Sequence, residues 1–182
     1  MNTTKFVILF CAGLALAVPT AFPQTNTDPP RRSVDLFRAN EFDLDLFGSY
    51  LNREGKFGDL LDTSTSHGTW GGGVGGSYFF TRMLGLGADV NFSAHPGRIT
   101  DQVTGNLLLR IPIGSSGFAP YIFGGGGRTF SPDWEWVYGG GVGVEFRFNR
   151  QFGIFADGRF LWSNVSTDND RGLVRAGVRV AF

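Results

Sequence analysis

Arg171-Gly-Leu-Val-Arg-Ala-Gly-Val-Arg-Val-Ala-Phe182 is the stretch that decides how the chain is read. Its even positions Val174, Ala176, Val178, Val180 and Phe182 are all apolar, whereas its odd positions carry Arg171, Arg175, Gly177 and Arg179. Alternation with period two marks a strand with one apolar and one polar face. Taken alone, the stretch fits the edge strand of a soluble sandwich as well as a strand of a membrane barrel. The segments upstream separate the two.

Working back toward the N-terminus, the same alternation recurs in about eight segments. Glu41–Leu51 sets Phe42, Leu44, Leu46 and Tyr50 against Asp43, Asp45 and Ser49. Gly68–Phe80 sets Trp70, Val74, Tyr78 and Phe80 against glycines and Ser77, and Leu84–His95 sets Leu84, Leu86, Ala88, Val90 and Phe92 against Gly85, Gly87, Asp89, Asn91 and Ser93. Thr100–Ile113 switches parity, with Val103, Leu107, Leu109, Ile111 and Ile113 on the apolar face and Thr104, Asn106 and Arg110 on the other. In Phe118–Phe130, Tyr121 and Phe123 are assigned to the apolar face and Arg128 to the polar one. Trp134–Phe148 sets Trp134, Trp136, Tyr138, Val142, Val144, Phe146 and Phe148 against Glu135, Glu145 and Arg147; Gln151–Trp162 sets Phe152, Ile154, Ala156, Phe160 and Trp162 against Asp157 and Arg159.

The connections alternate in length. Thr81–Met83, Gly114–Gly117 and Asn149–Arg150 are tight turns, while Asn52–Ser66, Pro96–Ile99, Ser131–Asp133 and Ser163–Asp170 are the links at the other end. Tight turns at one end and longer loops at the other fit a transmembrane barrel. A strand of about twelve residues at roughly 3.3 Å each, tilted by about 40°, spans roughly 30 Å, the thickness of a bilayer's hydrocarbon core. Large aromatics near strand ends on the apolar face, Trp70, Tyr78, Tyr121, Trp134, Trp136, Phe148, Phe152 and Trp162, form the girdles that such a barrel needs at both interfaces. The fold class expected is therefore all-β, an eight-stranded antiparallel up-and-down transmembrane barrel over residues 41–182.

The terminal strand ending in Val178, Val180 and Phe182, the girdles and the eight amphipathic segments resemble the small eight-stranded outer-membrane β-barrels of Gram-negative cell envelopes, the class of the OmpA transmembrane domain and OmpX. The resemblance covers Glu41 to Phe182. It implies a C-terminal signal for the barrel-assembly machinery, an outer-membrane location among lipid and lipopolysaccharide, and both termini on the periplasmic side. It gives no porin-like channel, because eight strands enclose an interior that side chains fill.

Composition agrees. The chain has 182 residues, 28 of them glycine, with 15% aromatic and 18% charged residues, which is too apolar for disorder and too glycine-rich for a helical bundle. Sixteen basic residues balance sixteen acidic ones, so no charge excess points to a nucleic-acid partner. Residues 1–23 read as a secretory signal, with Lys5 before the apolar run Phe6 to Val18 and cleavage within 17–25. Residues 24–40, with Pro29-Pro30 and Arg31-Arg32, read as a periplasmic linker with little apolar surface to bury. The one cysteine, Cys11, falls in the leader.

Charges on the polar faces are expected to meet inside the barrel. Burying charge is costly unless it is paired, so Asp43, Asp45, Asp89, Arg110, Glu145, Arg147, Asp157, Arg159, Arg175 and Arg179 are expected to form a network plugging the lumen. Strand order puts Arg175 and Arg179 between Asp157 on one side and Asp43 or Asp45 on the other. Phe79, Leu108, Phe155 and Leu161 break the alternation and should pack around that plug.

Catalytic signals are sparse. Gly71–Gly76 matches G-x-G-x-x-G without the following helix that a nucleotide needs, and Gly124–Gly127 lacks the Lys-Ser/Thr of a phosphate loop. Ser93 and His95 share a face near the rim in the order Ser-x-His, the reverse of the His-x-Ser of outer-membrane lipid A deacylases. The two histidines, His67 and His95, are too distant in sequence to suggest a metal site, and Asp168 and Asp170 suggest a solvated loop before a calcium site. Asn52–Ser66 is the best candidate for surface contacts. The expected function is a monomeric, non-catalytic structural or surface-interaction barrel without cofactor; a lipid-modifying enzyme and a narrow pore are the alternatives.

Overall fold

Alternation over nine to thirteen residues at a time is long enough for a strand and has the wrong period for a helix, and the chain builds eight strands from it. A computed structural model describes residues 36–52, 68–93, 102–130, 134–164 and 171–182. The strands are β1 (Glu41–Asn52), β2 (Gly68–Phe79), β3 (Leu84–Ser93), β4 (Gln102–Arg110), β5 (Phe118–Thr129), β6 (Glu135–Arg147), β7 (Phe152–Ser163) and β8 (Arg171–Ala181). Each pairs antiparallel with the next, and β1 pairs with β8 to close the barrel. Closure leaves no strand edge unpaired. The residues read as a signal and those read as a linker up to residue 35, the stretch around Phe57 and Leu60, His67, His95, Asp133 and the stretch with Asp168 and Asp170 lie outside the described residues.

One end of the barrel collects both ends of the described body and three short turns. Glu41 pairs with Phe79, and the Phe182 N–H donates to the Phe42 carbonyl at 2.8 Å. In the β6–β7 turn the Asn149 side-chain oxygen accepts from the backbone N–H groups of Gln151 and Phe152, each at 2.8 Å. In the β4–β5 turn Gly114 and Gly117 adopt φ of +54° and +75°, a region closed to most side chains. β4 stops at Arg110, short of Ile113, because Pro112 has no N–H for the ladder. Ile111 and Ile113 still donate to the carbonyls of Pro120 and Phe118 at 2.8 and 2.9 Å.

The two faces of the wall are inverted relative to a water-soluble protein. Outward positions carry exposed apolar side chains in every strand, among them Leu46, Leu86, Leu107, Ile122, Val142, Ile154 and Val178. Inward positions carry charge: Asp43, Arg110 and Glu145 are each 0% exposed. Phe79, Leu108, Phe155 and Leu161 are buried inside with them.

β5 corrects the sequence reading. Tyr121 and Phe123, assigned to the apolar outer face, point into the barrel and are 3% and 7% exposed, so Tyr121 is no part of a girdle. Ile122 is the outward residue, and Arg128, assigned inward, points out with it. From Phe118 to Phe123 both parities are apolar and four glycines follow, so alternation has nothing to act on there. Register decides instead: Tyr121 pairs with Arg110 and Gly143, whereas Ile122 pairs with Leu109 and Val142. A shift of one residue exchanges the faces of a strand.

The remaining girdle residues, Trp70, Tyr78, Trp134, Trp136, Phe148, Phe152 and Trp162, are all exposed on the outer face. They sort by kind. All four tryptophans stand at the loop end, with Tyr138 stacked on Trp162 and Phe130 edge-on to Trp134. The turn end is lined by Tyr78, Phe80, Phe146, Phe148, Phe152 and Phe182.

Candidate functional site

The interior is organised in tiers along the barrel axis, and each tier balances its own charge. At the turn end, Glu41, Asp43, Asp45 and Glu145 face Arg38, Arg110, Arg147 and Arg179, four carboxylates against four guanidiniums. Arg147 donates to Glu145 at 2.6 Å and to both oxygens of Asp43 at 3.1 and 3.2 Å, and lies 2.8 Å from Glu41. Arg179 holds Asp45 through Nε and Nη2, both at 2.7 Å, and Glu145 through Nη1 at 2.6 Å. Such two-pronged contacts are the strongest form of the guanidinium–carboxylate bond.

The middle tier has two acids and two arginines. Arg175 grips Asp157 through Nε and Nη2 at 2.8 and 2.7 Å and reaches Asp89 at 3.3 Å. Arg159 grips Asp89 at 3.2 and 2.9 Å and donates to the Thr104 hydroxyl at 2.8 Å. The Tyr121 hydroxyl donates to Asp157 at 2.8 Å, and Asn106 donates to Asp89 at 2.9 Å. Nearer the loops, Ser163 donates to Glu135 at 3.0 Å, Arg171 lies 3.9 Å from Glu135, and Ser49 donates to Asn91 at 2.7 Å.

Aromatic rings separate the tiers and cover the flat faces of the guanidiniums. Arg179 lies over Phe155 at 4.9 Å, Arg175 over Phe47 at 4.8 Å and Arg159 over Phe123 at 5.0 Å. Cross-strand glycines make room for these rings. Phe47 pairs with Gly73, Phe123 with Gly141 and Tyr121 with Gly143, and a Cβ on any of the three would stand 2.5 Å from a ring carbon. The glycine-rich polar faces are thus the spaces that inward aromatics fill.

The turn end is corked. Phe37, in the stretch read as linker, is 2% exposed, with its ring 4.6 Å from the Arg110 guanidinium and 4.7 Å from that of Arg147. The Leu36 carbonyl accepts from Arg147 at 3.0 Å. Between the tiers, a cavity of about 30 Å³ lined by Asp45, Asp89, Tyr121, Arg159 and Arg175 is left. At roughly 10–15 Å³ for each occupied water position, it has room for two or three waters.

Charge inside and hydrocarbon outside, in a closed eight-strand barrel, is the pattern of proteins that cross a membrane with strands. No protein-family model matches the sequence, and neither does any curated protein. Solved structures do. The N-terminal β-barrel domain of OprF from Pseudomonas aeruginosa superposes with a TM-score of 0.55 at 15% identity, over 80% of this chain and 99% of that one. Ail, the attachment invasion locus protein of Yersinia pestis, gives 0.52 at 15% identity over 79% and 99%. Neisserial surface protein A gives 0.52 at 14% identity over 78% and 96%.

The chain has the fold of the small outer-membrane β-barrels.

Within this outer-membrane barrel fold, all ten charged residues expected to face the lumen do face it, with Asp45 alone among them only partly buried. Alternation found them because each lies on a strand whose other face is plainly apolar. The expected neighbours of β8 are also present: Arg175 meets Asp157, and Arg179 meets Asp45. Glu41, Glu135, Arg171 and Tyr121 belong to the interior as well. Parity had already set Glu135 and Arg171 on polar faces without joining them to the network, and it could have placed Glu41, which shares a face with Asp43. Nothing in the sequence marked Phe37, which precedes the first alternating segment. Val178 and Val180 lie on the outer face of β8, and Phe182, just past its end, is exposed. Ser93 is the last residue of β3, and its suggested partner His95 lies outside the described residues.

Proposed function

We propose that this chain is exported and inserted into the bacterial outer membrane as a non-catalytic barrel, a stable scaffold whose loop end meets the exterior and whose turn end meets the periplasm. The observation that carries this reading is the pairing of inward charges tier by tier behind an apolar outer wall. In water, such a wall would leave a continuous apolar belt exposed, far beyond the patches that soluble proteins tolerate. In a bilayer the same wall is solvated. The strand ends fit too, with tryptophans at one interface and phenylalanines at the other.

The interior supports a structural role over a conducting or catalytic one. Its acids and arginines neutralise each other at hydrogen-bond distance, and the cork at Phe37 closes the turn end. What varies in function is then carried by the loop end, including Asn52–Ser66. Export through the signal at 1–23 and recognition of Val178, Val180 and Phe182 by the barrel-assembly machinery belong to this proposal, as does contact with membrane lipid and lipopolysaccharide. Envelope fractionation followed by electrophoresis with and without boiling tests it. An outer-membrane band that shifts on heating is expected; a soluble periplasmic protein without a shift would overturn the reading.

A further inference from the structure

Among the described residues, one charge stands on the outer face of the eight strands. Every other charged strand residue points inward, but Arg128, next to the loop end of β5, points out. Its guanidinium lies 4.6 Å from the ring centre of Trp134 and 5.5 Å from that of Trp136, and its Nε is buried without a hydrogen-bond partner. No carboxylate among the described residues pairs with it. An outward arginine is costly at the middle of a bilayer and nearly free near the interface. Arg128 stands at the interface, level with the tryptophans of the loop end, where lipid phosphates lie. A guanidinium stacked on indoles keeps its N–H edge free for the planar, two-pronged contact that a phosphate accepts.

Directly beneath it the wall loses its side chains. The next outward positions of β5 toward the barrel middle are Gly126 and Gly124; Gly105 of β4 faces Gly126, and Gly140 of β6 faces Gly124. Val103, Leu107, Tyr138 and Val142 rise on either side. From Arg128 to Gly124 is roughly 13 Å along the strand, against ~15 Å for the hydrocarbon depth of one leaflet. At Gly126 and Gly140 a Cβ would stand 3.1 Å from a backbone carbonyl oxygen, a tight fit, but at Gly105 and Gly124 internal packing does not require glycine. A Cβ on Gly105 or Gly124 would meet its nearest neighbour at 4.0 or 3.6 Å, ordinary contact. By contrast, a Cβ on the inward glycines of the same region, Gly127 and Gly139, would collide with backbone carbonyls. Glycine weakens a strand, so Gly105 and Gly124, without an internal cause and beneath a cation that no carboxylate among the described residues pairs with, point to something outside the protein.

We propose that β4, β5 and β6 form a binding site for a phosphorylated, acylated lipid of the leaflet at the loop end, with the phosphate on Arg128 and an acyl chain in the trough of Gly105, Gly124, Gly126 and Gly140. The inference rests on the outer face being the lipid face. It is a wall site, separate from the interior charges, and it would hold one lipid in a fixed place beside the loops.

The test uses the full-length protein, folded into vesicles and transferred to mild detergent, with lipid A as the probe, its dephosphorylated form as the control, and native mass spectrometry as the readout. Wild type is expected to retain one lipid A, at least about tenfold more tightly than the dephosphorylated form. Arg128→Gln should weaken lipid A about tenfold and abolish the preference for phosphate. Gly124→Leu should weaken both lipids by filling the trough. Inorganic phosphate at millimolar concentration should not displace the lipid. Retention of lipid A by Arg128→Gln as in wild type, or displacement by inorganic phosphate with no effect of Gly124→Leu, would overturn the site while leaving the membrane barrel intact. Failure of the wild type to give a heat-modifiable, vesicle-inserted form would overturn the membrane reading itself, and the lipid site with it.

Discussion

Asp45 and Arg179 are direct cross-strand partners on the seam where the last strand closes on the first, and both carboxylate oxygens of Asp45 accept from the Arg179 guanidinium at 2.7 Å. The two residues are 134 positions apart in the chain. Closure is the step with the largest loop-closing cost, and a strong ion pair sits on it. Arg179 also serves Glu145, whereas Asp45 is partly exposed and has Arg179 as its partner. Arg179→Ala therefore leaves Asp45 without its guanidinium and the turn-end tier one positive charge short around the fully buried Glu145, which keeps Arg147, and should cost about 3–5 kcal/mol. Asp45→Asn should cost clearly less. Urea titration of the folded fraction, read by gel shift, checks the order of the two.

Tyr121→Phe separates the two assignments of β5. With the hydroxyl on Asp157 at 2.8 Å, its loss should destabilise the barrel by about 1 kcal/mol. On an outer girdle the same change would be neutral or favourable. The urea midpoint relative to wild type decides.

Gly143 tests whether the inward glycines are spaces for rings. A Cβ there would stand 2.5 Å from the Tyr121 ring and 2.6 Å from the Asp157 Cβ. Gly143→Val should lower stability by about 1–3 kcal/mol through overpacking. Gly105→Val, on the outer wall with open space around it, should fold like wild type in the same assay.

Phe37 is expected to contribute as a core residue despite preceding the first strand. Phe37→Ala should cost about 3 kcal/mol, because the faces of Arg110 and Arg147 lose their cover. Limited proteolysis of the folded protein should then cut near Leu36 in the variant and not in wild type.

The architecture was legible because seven of the eight strands have faces of different chemistry. β8 shows this best: Arg175 and Arg179 on one parity and Val178, Val180 and Phe182 on the other leave one arrangement in which both faces are satisfied. β5 failed for want of contrast, since Ala119, Tyr121 and Phe123 are apolar by composition yet line a polar lumen through one hydroxyl and two rings that lie against guanidiniums. The partners of β8 followed from strand order. The tiers did not, because which arginine reaches which acid across the lumen depends on stagger between non-neighbouring strands; Arg159 and Asp89, on β7 and β3, meet at 2.9 Å without sharing any ladder. Phe37 was hidden because a single buried side chain on an irregular segment carries no period.

The most direct test of the outer face uses the intrinsic tryptophans. The chain has four, Trp70, Trp134, Trp136 and Trp162, and all four stand on the outer wall at the loop end. Their fluorescence therefore reports that wall alone. In vesicles made with lipids brominated at defined depths, the account predicts strong quenching by bromines close to the headgroups, weaker quenching by bromines at the bilayer centre, and protection from aqueous iodide. Quenching by iodide with no effect of brominated lipids at any depth would mean that the tryptophan face meets water, and the membrane barrel would be wrong.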